Sequence, residues 1–161
     1  FLQNVDGEAG LEDSKGEVMA SPYSWGTRSL RRLNTCQPQL IELMTTALKA
    51  DDCPFDVTVI EGHRSNERQA ELYAQGRTTP GPKVTNAKPG QSRHNSFPSE
   101  AIDVGPCNVS GVVLWQDKDK FDAWGAHVKK TAEELGIAIT WGGDFSWYDG
   151  AHFELTRRSH G

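Results

Sequence analysis

The tightest constraint on this chain lies in Ser92-Arg93-His94-Asn95-Ser96-Phe97-Pro98-Ser99-Glu100-Ala101-Ile102-Asp103, read together with Asp149-Gly150-Ala151-His152 about fifty residues later. Two imidazoles and one carboxylate suffice for a tetrahedral Zn²⁺ site, which in a hydrolase leaves the fourth position to water. His94, Asp103 and His152 are the candidate ligands for one zinc per chain, so the fold must bring together segments that the sequence keeps apart. Pro98 and its flanking serines make the 94–103 interval a turn rather than a helix. Ala101-Ile102-Asp103-Val104 then alternates as a short strand does, with Ala101 and Asp103 on one face and Ile102 and Val104 on the other. His152-Phe153-Glu154-Leu155 has the same period, so a second strand carries the third ligand.

The rest of the chain supplies a scaffold for one cleft. A length of 161 residues fits a single domain with a real core. No apolar run approaches the roughly 20 residues of a membrane span. Residues 1–18 hold five acids against one base, most of the formal net charge of −5, and are expected to be an acidic flexible tail ahead of a domain over 19–161. That domain is nearly neutral and has no basic stripe, which argues against a nucleic-acid partner. Cys36, Cys53 and Cys107 form no CxxC pair and are expected to be idle or buried thiols, with metal ligation or a single disulfide as alternatives.

Helical spacing of Leu30, Leu33, Leu40, Leu43, Met44 and Leu48 predicts helix over 29–49, with Pro38 in a first turn. Residues 56–61 read as a strand and 66–73 as a helix capped by Asn66. Residues 76–91 form a long loop, either a wall of the cleft or an idle solvated segment. An extended strand is predicted over 109–114, an amphipathic helix over 118–135 stopped by Gly136, a strand over 137–140, and an aromatic loop over 141–147 that frames the cleft. The order predicts an α+β domain with a small, mainly antiparallel sheet flanked by helices.

Arg64, just past a strand end, is a candidate for binding a carboxylate or a developing oxyanion, against a plain surface salt bridge. Gln69 is either a substrate contact or a solvated helix residue. His63 and His127 read as structural. Asp149 precedes a ligand by three positions and can lie near the metal without binding it; the plainer reading is a turn residue before a strand. Asp144 is the runner-up acid.

Ser92-x-His94, Ala101-x-Asp103 and Asp149-x-x-His152, with Glu61-Gly62-His63-Arg64-Ser65, Gln69, Tyr73 and Trp141-Gly142-Gly143-Asp144, resemble the zinc peptidases that include D-alanyl-D-alanine carboxypeptidases and phage L-alanyl-D-glutamate peptidases. The resemblance covers roughly residues 25–156. It departs in one place: the aspartate follows the histidine by nine positions without an intervening glycine, where the commonest family form has seven. The resemblance implies a hedgehog and D-Ala-D-Ala-peptidase-like fold, zinc held by His94, Asp103 and His152, and Asp149 as catalytic base. It further implies Arg64 in catalysis, and Arg64, Gln69 and Ser92 at the substrate. The implied activity is that of an endolysin cutting the L-alanyl-D-glutamate bond of the peptidoglycan stem peptide, with a D-alanyl-D-alanine carboxypeptidase as alternative. A monomer is expected, made in a bacterial cytoplasm without a visible signal peptide and acting on the wall. A non-catalytic module that kept the metal site, as in the related hedgehog domain, is the reading from another class; Asp149 and Arg64 argue against it.

Overall fold

A computed structural model describes residues 20–157; the acidic tail expected over 1–18 lies outside them. The predicted helix over 29–49 is two helices, α1 (Thr27–Leu33) and α2 (Pro38–Lys49), parted by a turn, with Pro38 at the start of α2 where a missing N–H costs nothing. The chain continues through β1 (Val57–Glu61), α3 (Asn66–Ala74), β2 (Ala101–Pro106), α4 (Lys118–Leu135), β3 (Ile139–Trp141) and β4 (His152–Leu155). Single 3-10 turns at Arg93–Asn95 and Gly142–Asp144 precede β2 and follow β3.

The four strands form one antiparallel sheet in the order β1-β2-β4-β3. Period-two alternation divides its faces as the residue pattern predicts. Ile102, Val104 and Phe153 turn into the core with Leu40, Leu43, Met44 and Leu48 of α2 and Trp124 and Val128 of α4. Trp124 and Phe153 are fully buried, and truncating either to alanine would cost about 3–5 kcal/mol. The opposite face is left to Asp103, His152 and Glu154. Register makes the site: Asp103 stands opposite His152 across β2 and β4, and opposite Glu61 across β1 and β2.

Helix α4 has the predicted ends. The Asp117 side chain accepts from the Lys120 N–H at its start, and Gly136 closes it at φ 72°, a left-handed conformation cheap only for glycine. Three local expectations need correction. Ser65, not Asn66, caps α3, its side chain accepting from the Arg68 N–H. Residues 109–114 form no strand: the Asn108 side chain accepts from the N–H groups of Ser110 and Val112, which folds the chain into a turn with Val109 exposed, and only Val113 bridges back to Cys107. The strand predicted at 137–140 sits at Ile139–Trp141. All three cysteines are free, Cys36 and Cys53 buried and Cys107 half-buried.

Candidate metal centre

Each candidate ligand is delivered by a different local device. His94 rides on the Arg93–Asn95 turn, which Ser92 caps by accepting from the His94 N–H while the Asn95 side chain accepts from the Ser92 N–H. The turn is stitched to the end of β1: the Arg64 N–H donates to the His94 carbonyl at 2.8 Å, and Asn95 Nδ2 donates to the Arg64 carbonyl at 2.9 Å. Asp103 projects from the middle of β2, and His152 from the first residue of β4.

The three side chains converge. Asp103 Oδ1 lies 3.2 Å from His94 Nε2 and 3.2 Å from His152 Nδ1. Among the described residues this is the one cluster of three or more His, Cys, Asp or Glu whose donor atoms all lie within 4.8 Å of one another. The tautomers follow from the outer contacts. His94 Nδ1 faces the Gly62 carbonyl at 2.8 Å, and His152 Nε2 faces Glu154 Oε1 at 2.7 Å. A carbonyl or carboxylate can only accept there, so the outer nitrogens carry hydrogen, and the inner ones are the pair that can turn lone pairs on a shared point once no proton occupies them. Two imidazole nitrogens aimed at one carboxylate oxygen need positive charge among them, from protons or from a cation. That donor set, two nitrogens and one oxygen with each histidine oriented from behind, suits a zinc-type ion.

Electrostatics agree with the geometry. Burial disfavours the charged form of His152, but hydrogen bonds with Asp103 and Glu154 outweigh it and push its pKa up to about 9. Burial also opposes ionisation of Asp103, yet the two imidazoles hold its carboxyl well below the usual carboxylate range.

Asp149 reaches this centre from the loop between β3 and β4. Its N–H donates to the Gly142 carbonyl at 2.9 Å, and its carbonyl accepts from the His152 N–H at 3.1 Å. Gly142 must be glycine for this approach, since a Cβ there would collide with the Asp149 carbonyl oxygen and crowd His152. Although Asp149 touches solvent, packing around its carboxyl, aided by the charge of Asp103, raises its pKa; His152, His94 and Arg64 pull the other way.

Arg64 is half spoken for. Its Nε and Nη2 donate to Glu61, Nη1 donates to Gln69 Oε1 at 3.0 Å, and Nη2 stands 3.9 Å from Asp103 Oδ2. Gln69, expected at a substrate or on a solvated helix face, is instead completely buried, with Nε2 donating to the Ala87 carbonyl at 2.7 Å. It thereby joins Arg64 to the 76–91 loop. The Ser92 hydroxyl is occupied by its turn. His127 is buried against the Ala47 carbonyl, His63 packs on Phe97, and Asp144 pairs with Lys129 at the surface. In the aromatic loop, the Phe145 ring lies 5.9 Å from the His152 ring and 5.0 Å from the exposed Trp147.

Two neighbours of the ligands have no role in the sequence pattern as read above: Glu154, on the His152 face of β4, and Arg93, the residue before His94. His-x-Glu on a strand is a signal for an outer carboxylate, because period two puts both side chains on one face.

One face of this antiparallel sheet thus gathers His94, Asp103 and His152 into a donor set that could hold a metal ion, with Asp149 beside it. The chain belongs to the phage L-alanyl-D-glutamate peptidase family, whose family model matches residues 21–159. It is 28% identical over 145 residues to the L-alanyl-D-glutamate peptidase of Escherichia phage T5, covering 83% of this chain and 98% of that protein. It is 37% identical over 107 residues to the peptidoglycan L-alanyl-D-glutamate endopeptidase CwlK of Bacillus subtilis (strain 168), covering 63% of this chain and 61% of that one. The crystal structure of the Serratia marcescens L-Ala D-Glu endopeptidase ChiX superposes with a TM-score of 0.62 at 32% identity, over 81% of this chain and 87% of that chain.

Proposed function

We propose that this protein is a zinc peptidase that hydrolyses the L-alanyl-D-glutamate bond of the peptidoglycan stem peptide and works as an endolysin. The observation that carries the reading is the meeting of His94, Asp103 and His152 around one point, with Asp149 beside them, in a chain of this family. Zinc held by those three residues would supply Lewis-acid polarisation of the scissile carbonyl and acidify the attacking water.

Asp149, ionised, takes the proton from the water as its oxygen bonds to the L-alanyl carbonyl carbon. It returns that proton to the D-glutamate nitrogen as the C–N bond breaks. Arg64 offers the two N–H groups left over from Glu61 and Gln69 to a substrate carboxylate or the developing oxyanion. Gln69 and Ser92, both spent on internal hydrogen bonds, act by positioning Arg64 and His94 rather than by touching substrate. The aromatic loop through Phe145 and Trp147 frames the cleft. We take the enzyme to act as a monomer on the cell wall, without a nucleic-acid partner. No helix among the described residues is long and apolar enough to cross a membrane.

Digestion of purified muropeptides followed by mass spectrometry tests the bond assignment. The expected products end in L-alanine and begin with D-glutamate; release of terminal D-alanine alone would overturn it in favour of a carboxypeptidase. Lysis of outer-membrane-permeabilised cells should stop with a chelator and return with zinc. Lysis indifferent to the chelator would contradict a metal-dependent enzyme.

A further inference from the structure

We infer that Arg93 and Glu154 form a brace that sets how tightly the triad holds its metal, a role that rests on the zinc reading above. Glu154 Oε1 receives the His152 Nε2–H at 2.7 Å, and Glu154 Oε2 lies 3.6 Å from Arg93 Nη2. Arg93 Nη1 donates to Glu100 Oε1 at 3.1 Å and to the Leu155 carbonyl at 2.8 Å.

The places of these partners in the chain give the brace its function. Arg93 immediately precedes His94 on its turn, Glu100 leads into β2 and hence Asp103, and Glu154 and Leu155 follow His152 on β4. One guanidinium, its side chain 16% exposed, therefore ties together the three segments that deliver the three ligands. Its acceptors lie in different directions, which a planar fork of donors can serve and a lysine ammonium cannot serve with the same geometry. At the far end Glu154 keeps hydrogen on His152 Nε2, leaving Nδ1 as the ligand atom, and stops the ring from rotating. Arg93 and Glu154 are positioning residues, since neither belongs to the cluster of His94, Asp103 and His152 and both act through its members.

The test measures zinc affinity of the purified full chain by competition with a chromophoric chelator, for wild type, Glu154→Ala, Glu154→Gln, Arg93→Lys and the ligand control His152→Ala. Outer partners of ligating histidines are worth about 10–100-fold in metal affinity, and Glu154→Ala should lose about that much. Glu154→Gln keeps a carbonyl acceptor for Nε2–H but sets an amide N–H against Arg93, so it should lose affinity by less than Glu154→Ala. Arg93→Lys should weaken binding by about tenfold, with a metal-free melting temperature close to that of wild type. Wild-type affinity in Glu154→Ala, alongside lost binding in His152→Ala, would overturn the brace while leaving the zinc site standing. Equal weakening in Glu154→Ala and Glu154→Gln with lowered metal-free melting temperatures would also overturn it, showing a merely structural role. Failure of the wild type itself to take up zinc would instead overturn the zinc reading, and the brace with it.

Discussion

Replacing Asp149 by asparagine separates proton transfer from everything else at this centre. The side chain keeps its shape but loses its capacity to accept a proton. The loop should stay in place, because its anchors do not involve the carboxylate: the Asp149 N–H on the Gly142 carbonyl at 2.9 Å, the His152 N–H on the Asp149 carbonyl at 3.1 Å, Trp141 Nε1 on the Gly150 carbonyl at 2.9 Å, and the Tyr148 hydroxyl on Asp122 at 2.7 Å. His94, Asp103 and His152 are likewise untouched, so zinc content should remain near one per chain. A positioned general base contributes about 10²–10⁴-fold, equivalent to about 3–5 kcal/mol of barrier. Turnover of a defined muropeptide, followed by chromatography beside elemental analysis for zinc, should therefore fall by that factor at constant metal content. Undiminished turnover would refute Asp149 as the base, and parallel loss of zinc and turnover would mean that it serves the metal instead.

Other consequences follow from burial and charge. In the metal-free chain the His152 pKa is raised from 6.5 to about 9, so zinc must displace its proton: affinity should climb with pH and flatten above about 9, with proton release at pH 7 in a weakly buffered titration. The same shift means stability that is fully present below pH 6.5 and lost as pH rises through about 9, on the order of 3 kcal/mol. Metal-free thermal melts at the two ends should differ in that direction, and a higher melting point on the alkaline side would contradict it. Gln69→Ala leaves Arg64 Nη1 and the Ala87 carbonyl without their partner, which should cost about 1–3 kcal/mol in denaturant unfolding and raise KM with zinc retained; an unchanged KM would remove Gln69 from the positioning of Arg64. Trp124→Ala should lower stability by about 3–5 kcal/mol in the same assay, and a loss under 1 kcal/mol would mean the α4 packing is misjudged.

What could be read from residues alone was whatever local periodicity or donor chemistry determines. Helix α4 is legible because Phe121, Trp124, Val128 and Ala132 recur at helical spacing up to a glycine stop. The strands bearing Asp103 and His152 are legible because their alternation separates ligands from core. The 109–114 stretch misleads because β-branched residues suit a strand, whereas the Asn108 side chain offers the backbone a competing turn. Gln69 could not be seen as buried, since what covers it is an aperiodic loop held by Ala87 and Thr85. The Arg93 contacts depend on cross-strand register and side-chain reach, neither of which is written in spacing.

The central claim is best tested by anomalous diffraction at the zinc edge on crystals of the zinc-loaded protein. One peak per chain should appear, bonded by His94 Nε2, an Asp103 oxygen and His152 Nδ1, with Asp149 close by but outside the ligand set. A peak at any other set of side chains, or none at these three, would contradict the account.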